Sequence, residues 1–502
     1  MTPANIPHDP PSDDDSGSLT PAQRRRLSRR PSDRAITAVL AFTGLVAAFT
    51  QTLVTPIIPE LPMLLHASAP DATWVLTSTL LAAAISIPIS GRLGDMYGKR
   101  TVMIILLASL VVGSVICALS SSLIPVVAGR VLQGFSLGVI SLGISVLRDV
   151  LHPKSLGGAV ALVSATLGVG GAVGLPVAAI VAQNLDFHFL FWLATALGAV
   201  GLVLVLLVVP PSTLRTGGHF DFVGAAGFAI GLVGILLAVS KGSTWGWSSP
   251  LTLGLLSGGV VVLLLWGWFE LRSPEPLIDL RVAGRRPVLL TNLTSISIGF
   301  GYFVTAAAFP ALLEAPTGTG VGLGQTLIVA SLCLMPLGLV MFVLSPVAAR
   351  LSATRGPRVS LILGASVVVV AFVLAVVLHA EVWHVILVSA VVGVGVGIAY
   401  AAMPTLIMHA VPASETASAN GLNSVMRTLG STIAGTVSGL VLSSSAVPFD
   451  GVPIPTDGAF RTVFIIAAAV VLAGVVSALF IPRREPAYPT TASIPTLPGA
   501  PD

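Results

Sequence analysis

Long apolar runs broken by short polar turns recur along nearly the whole chain, and the spacing of the turns sets its class. Runs lie at 36–58, 73–90, 101–120, 123–147, 157–182, 189–209, 222–240, 251–269, 287–309, 325–347, 359–379, 384–408, 422–443 and 460–481. Each is close to the ~20 residues that a helix needs to cross the hydrocarbon layer of a bilayer. The pattern therefore predicts an all-α membrane protein with fourteen membrane-spanning helices, numbered here as spans 1 to 14. Residues 1–33 and 483–502 carry few large apolar groups and much Pro, Ser and charge. Such segments cannot offset their ordering entropy, so both are expected to be disordered tails.

Composition agrees with the pattern. The chain is 54% hydrophobic and 9% charged, with a mean hydropathy of +0.97. A soluble domain carries roughly 25% charged residues, so a water-soluble fold is excluded. The net charge of +4 changes the picture only once it is placed along the chain. Arg24, Arg25, Arg26, Arg29, Arg30 and Arg34 precede span 1, Arg92, Lys99 and Arg100 follow span 2, and Arg148 and Lys154 follow span 4. Arg215, then Arg272, Arg281, Arg285 and Arg286, then Arg350, Arg355 and Arg358, and finally Arg483 and Arg484 continue the series on the same side. Only Lys241 and Arg461 fall on the other. Basic loops stay cytoplasmic, so both termini are expected in the cytoplasm of a cell with an inner (plasma) membrane, and nucleic acid is not an expected partner. The first apolar run is too long for a signal core and is expected to remain as span 1.

Little in the chain suggests chemistry other than transport. Cys117 and Cys333 each sit inside an apolar run and read as small core fillers, so no disulfide and no metal site are expected. The histidines are scattered, with His188, His379, His384 and His409 at span ends, and no phosphate-binding glycine loop occurs. A membrane-embedded enzyme would need converging acid, base or metal-ligating groups, so the protein is expected not to be an enzyme and to need no cofactor.

An internal repeat is visible within the sequence itself. Gly91 to Arg100 reads Gly-Arg-Leu-Gly-Asp-Met-Tyr-Gly-Lys-Arg in the loop expected after span 2, and Ala349 to Arg358 reads Ala-Arg-Leu-Ser-Ala-Thr-Arg-Gly-Pro-Arg after span 10. Without gaps they share Arg92 with Arg350, Leu93 with Leu351, Gly98 with Gly356 and Arg100 with Arg358. Two related six-helix halves, 34–209 and 287–482, separated by two inserted helices with their linkers at 210–286, account for this. Parallel repeats of this kind are a common basis of alternating access.

Gly91, Arg92, Asp95, Gly98, Lys99 and Arg100 together resemble the signature loop of the major facilitator superfamily. Arg130, Gln133 and Gly134 in span 4 resemble that superfamily's second motif, and Gly168, Gly170, Gly171, Gly174 and Pro176 in span 5 resemble an imperfect antiporter motif of its exporters. Asp221 to Gly224, Trp245 to Trp247, Pro276 to Leu280, and Asn423, Arg427 and Gly430 narrow the resemblance to the fourteen-helix drug:proton antiporter family, over roughly residues 35–482. The resemblance implies that Asp95 locks a cytoplasmic gate against the start of span 13 near Arg427, and that Lys99 meets Asp149. It also implies that Arg130 with Gln133 and Gly134 takes part in proton coupling, and that Gly170, Gly174 and Pro176 belong to the antiporter helix.

One departure bears on the coupling ion. Span 1 of that family carries an aspartate two residues before a threonine, where this chain has Thr50, Gln51, Thr52 and then Pro59. No Asp or Glu sits at the middle of any predicted span, which leaves the proton carrier open among Asp95, Asp149, Glu314, His409 and Glu415. A midmembrane acid would also be wanted for strongly cationic drugs. A cavity lined by Thr50, Gln51, Trp74, Asn292, Tyr302 and Tyr400 would suit neutral or amphipathic molecules. The expected function is export of small hydrophobic or amphipathic organic molecules by proton antiport, by a monomer in the lipid bilayer. A transporter of the same fold dedicated to one metabolite or lipid is the alternative.

Overall fold

Inside a bilayer no water is available to backbone N–H and C=O groups, so a spanning segment must satisfy them internally as a helix. The computed structural model describes residues 31–58, 60–211, 217–449 and 452–483; most of both expected tails, including Arg24 to Arg30 and Arg484, and also Pro59 and Arg215, lie outside the described residues. Asp33–Ile57, Pro70–Tyr97, Lys99–Ala118, Leu123–Val150, Pro153–Asn184 and His188–Val208 form spans 1 to 6. Phe222–Gly242 and Pro250–Glu270 are spans 7 and 8. Arg286–Glu314, Pro357–Val377, Val382–Ala410, Ala413–Ser444 and Asp457–Leu479 are spans 9 and 11 to 14. Span 10 is a broken pair, Leu327–Val343 and Ser345–Arg355, bent by 44°. Pro346, at the start of the second piece, lacks the backbone donor that would carry the first helix onward. Thirteen helices and one bent pair thus match the fourteen apolar runs.

The helices pair in the same way in the two six-helix sets. Span 1 packs on spans 5 and 6, span 3 on spans 4 and 6, and span 2 on span 4. Correspondingly, span 9 packs on spans 13 and 14, span 11 on spans 12 and 14, and span 10 on span 12. The sets meet along span 2 with span 13 and span 5 with span 10, two contacts that the repeat exchanges. The inserted pair breaks this symmetry, because span 7 docks on spans 2 and 13 while span 8 packs mainly on span 7. Span 8 accordingly presents Leu253, Val261, Leu264, Leu265 and Trp268 outward, as a helix facing lipid does.

Two details differ from the pattern reading. Gly91 to Tyr97 is not a loop: span 2 stays helical to Tyr97, and the turn narrows to Gly98, with a φ of 107°. Its N–H closes the last turn on the Gly94 carbonyl, and Lys99 opens the next helix. Gly356, the repeat partner, has a φ of 87° and joins Ser345–Arg355 to Pro357–Val377 in the same way. Side chains with a Cβ avoid such angles, which explains why glycine recurs there. The shared arginines also act alike, Arg100 donating to the Leu206 carbonyl and Arg358 to the Leu479 carbonyl, each at 2.6 Å. Each ties the third helix of its set to the end of the sixth. The second difference is a short hairpin, Ala446–Phe449 antiparallel to Val452–Pro455, between spans 13 and 14.

A methyl group at Gly356 meets no atom within 4 Å, so substitution there tests backbone geometry alone. Gly356→Ala should cost about 1–3 kcal/mol and lower the Tm of the detergent-solubilised protein, whereas Gly254→Ala, in an open helical position, should leave it unchanged or raise it. Equal Tm values would show that the turn does not require glycine.

Candidate functional site

The polar contacts between the two sets concentrate on the face that carries the basic loops. Asp95, at the end of span 2, is 2% exposed and accepts the backbone N–H of Ser418 at 3.0 Å and of Ala417 at 3.4 Å. These are among the first N–H groups of the helix Thr416–Ser444, which have no partner within their own helix. The carboxylate therefore meets the positive end of the span 13 dipole. Gly91, one turn earlier, lets the helices approach: a Cβ there would lie 2.7 Å from the Ala417 carbonyl oxygen. Lys99 is also buried, its Nζ 2.7 Å from Asp149 and 3.8 Å from Asp95. The aspartate, the lysine and the second aspartate form one buried chain from span 2 through span 3 to the end of span 4.

Arg148 adds the opposite half of this arrangement. Its guanidinium donates to the carbonyls of Val411 at 3.3 Å and Pro412 at 3.4 Å, just past the end of Val382–Ala410, and to the Thr416 hydroxyl. An anion thus meets the N-terminus of one helix and a cation meets the C-terminus of its predecessor, both reaching from the first six spans into the last six. Sequence pattern marks Arg148 only as a basic loop residue, since its partners lie more than 260 residues away. The second half holds no copy of this chemistry, because Ala353 and Pro357 stand at the repeat positions of Asp95 and Lys99.

Arg130 is fully buried in the first half rather than extended to an interface. It donates to the carbonyls of Thr50 at 3.0 Å and Val75 at 3.2 Å and to Gln133 Oε1 at 2.7 Å, and Gln133 in turn donates to Ser114 at 2.8 Å. Spans 1, 2, 3 and 4 are joined at this one guanidinium. The position where the resemblance implies an acid supplies instead the Thr50 carbonyl, while the Thr50 hydroxyl is held by the Val46 carbonyl. Gly134 lets span 4 lie against the backbone of Thr79, where a Cβ would come within 2.5 Å. Gly170 and Gly174 likewise bring span 5 against Leu45, Phe49 and Thr52 of span 1, and Pro176 is buried inside span 5.

The residues named for a cavity separate into four places. Tyr302 and Tyr400 come together at the middle of spans 9 and 12, ring centroids 6.3 Å apart. Arg427 joins them, its guanidinium 4.9 Å from the Tyr400 ring centre and 2.9 Å from the Ser424 hydroxyl. This corrects the placement of Arg427 at the gate. Ten residues of helix separate it from Ala417, roughly 15 Å, so Asp95 meets backbone and not this side chain. Asn292 is not free to line a cavity, because Asn423 donates to it at 2.9 Å and to Ser295 at 2.6 Å, fastening span 9 to span 13. Trp74 lies at the far end of span 2, 4.9 Å beneath the Lys241 ammonium of span 7. Gln51 and Thr52 remain half-buried at the end of span 1.

Removing the Arg130 side chain would take a donor from Gln133 Oε1 and from the Thr50 carbonyl, while the Val75 carbonyl keeps the Thr79 hydroxyl; a buried acceptor left unpaired costs about 1–3 kcal/mol. Arg130→Gln and Gln133→Leu should each lower stability to chemical denaturation in detergent, and the double variant should lose less than the sum, with a coupling of about 0.5–3 kcal/mol. Strict additivity would show that the two side chains do not share this network.

The family model described as Major Facilitator Superfamily matches residues 40–435 and 291–498. Among curated relatives, an uncharacterized MFS-type transporter of Mycobacterium tuberculosis, Rv1877, is 29% identical over 58% of this chain, a stretch that spans 46% of that protein. The multidrug resistance protein Stp of the same species is 25% identical over 82% of this chain and 76% of its own length. The tetracenomycin C resistance and export protein of Streptomyces glaucescens is 28% identical over 71% of this chain and 64% of its own. Among solved structures, the human organic anion transporter MFSD10 aligns with a TM-score of 0.62 at 16% identity, covering 89% of this chain and all of that one. The proton:xylose symporter XylE aligns with a TM-score of 0.61 at 14% identity, covering 90% and 96%. With thirteen spanning helices and one bent pair among the described residues, a paired six-helix repeat and this match, the chain is a multi-pass membrane protein and a member of the Major Facilitator Superfamily.

Proposed function

We propose that the protein exports small hydrophobic or amphipathic organic molecules from the cytoplasm by proton antiport, rocking residues 34–209 against 287–482 about a midmembrane site. The observation that carries this reading is the interlocked set of Asp95, Lys99, Asp149 and Arg148 at the ends of spans 12 and 13. It is polar, buried and made between the halves, as a contact must be if it holds one end of a transporter shut and then releases it. The one-sided chemistry agrees, because among the described residues these polar contacts between the halves lie on the face of the basic loops. That face is the cytoplasmic one on this reading, with both termini there and the protein a monomer in the plasma membrane. The close packing of span 5 on span 1 through Gly170 and Gly174, with Pro176 beyond, supports export, and relatives that carry the names multidrug resistance protein and export protein support it further. No part of the arrangement calls for covalent chemistry, so the protein is read as a transporter and not as an enzyme.

A second reading, one dedicated metabolite rather than many drugs, is favoured by Thr50, since no acid in span 1 stands ready to select cationic drugs. Both readings share the same test of coupling. In everted membrane vesicles, a lipophilic dye should accumulate only under an imposed pH gradient, and Asp95→Asn should slow it about tenfold by weakening a charge-assisted contact worth roughly 1.5–3 kcal/mol. Dye movement that ignores the gradient for every compound tested would exclude proton-driven export.

A further inference from the structure

The chain has 21 acidic residues, and within the spans each stands at or near an end. Asp95, Asp149, Asp221, Glu270, Glu314, Glu415 and Asp457 all follow this rule. Arg427 does not: it lies fourteen residues after Ala413 and seventeen before Ser444, at the middle of span 13. A guanidinium at that depth is costly, and such groups normally face a partner or a cavity. No carboxylate pairs with Arg427 among the described residues, and its polar partner in the protein is Ser424. The side chain is nevertheless surrounded by protein while remaining only half-buried, so it borders internal space instead of packed core.

The neighbours complete a binding surface. Tyr400, 4% exposed, lies under the guanidinium, fixing its plane while leaving N–H groups unclaimed. Tyr302, also half-buried, extends its hydroxyl toward Gly171 of span 5, where a Cβ would be 3.0 Å away. The group therefore lies where the two halves meet. Gly171, Tyr302, Tyr400 and Arg427 are each within the middle third of their spans. Arg130 adds a second positive charge within the spans that no carboxylate pairs with among the described residues, but it is fully buried, with Nε and Nη1 bonded to Val75, Thr50 and Gln133 and Nη2 left without a hydrogen-bond partner. Two cations within the spans, Arg130 fully buried and Arg427 half-buried, neither paired with a carboxylate among the described residues, make the potential of the interior positive.

We propose that the site of Arg427, Tyr400 and Tyr302 binds the acidic group of the transported molecule, so that the preferred substrates are lipophilic organic acids. The carboxylate would sit on the free edge of the guanidinium, which can present two parallel N–H donors to it. The apolar body would lie along the two tyrosine rings. This rests on the transporter reading above, and it reverses the preference for cations that a midmembrane acid would create.

The test uses the full chain in lipid nanodiscs and three matched fluorescent probes: pyrenebutyrate, its methyl ester, and the pyrenebutyl trimethylammonium cation. Anisotropy titration of the wild type should show the carboxylate binding about tenfold or more tighter than the ester, and the cation weakest. Equal affinity for acid and ester, or tighter binding of the cation, would overturn the proposal without any variant being made. Arg427→Gln should abolish the carboxylate-to-ester ratio and Arg427→Lys should keep part of it; an unchanged ratio in a monodisperse Arg427→Gln protein would also overturn it. Flux in everted vesicles separates this from the wider reading. Acid preference in binding with no flux of any probe would refute the exporter and leave the site standing, whereas gradient-driven flux of ester and cation without acid preference would do the reverse.

Discussion

The carboxylate of Asp95 against the first N–H groups of span 13 is the contact on which the arrangement depends. A helix end buried without partners is costly, and here the missing partners come from the other half of the molecule. Arg148 completes it by meeting the end of span 12 with positive charge. Because both side chains belong to the first six spans and both targets to backbone of the last six, on the proposed function an opening of the face of the basic loops would uncover two helix termini and a buried Asp-Lys-Asp chain together. Such a cost, spread over few groups, suits a contact that must hold and then release.

The symmetry of the fold makes the one-sidedness of this chemistry informative. Spans 2 and 10 share a glycine turn and an arginine that ties the third helix of each set to the end of the sixth. Those features are structural and are present twice. The acid and the lysine are present once, on span 2, and the inserted pair docks on the same side, along spans 2 and 13. The scaffold is thus repeated while the parts assigned to gating are concentrated at a single seam.

Much of the fold was legible because a bilayer permits so few backbone solutions. Apolar runs near twenty residues long had to be helices, and Gly98 and Gly356 announced their turns by recurring at the same offset. The hairpin of Ala446–Phe449 with Val452–Pro455 was not legible, since four-residue strands leave almost no apolar pattern. At the site, Asp95, Lys99 and Asp149 could be read because the motif that carries the family resemblance implies their partners, although those partners lie far away in the chain. Arg148 and Arg427 could not. Arg148 binds a segment more than 260 residues away, and Arg427 is joined by tyrosines from spans 9 and 12; nothing in local sequence distinguishes an arginine that caps a distant helix, or borders internal space, from one that only sets topology. The same holds for Asn292, whose polarity suggested a cavity but whose partner, Asn423, uses it to bind two helices.

The account stands or falls on whether Asp95 keeps the basic face shut. Thr428, half-buried beside Arg427, can be changed to cysteine in a chain whose Cys117 and Cys333 have been replaced by alanine, and a membrane-impermeant thiol reagent applied from the side of the basic loops. The account predicts slow labelling with Asp95 intact and labelling several-fold faster in Asp95→Asn. An identical rate in the two proteins would contradict it.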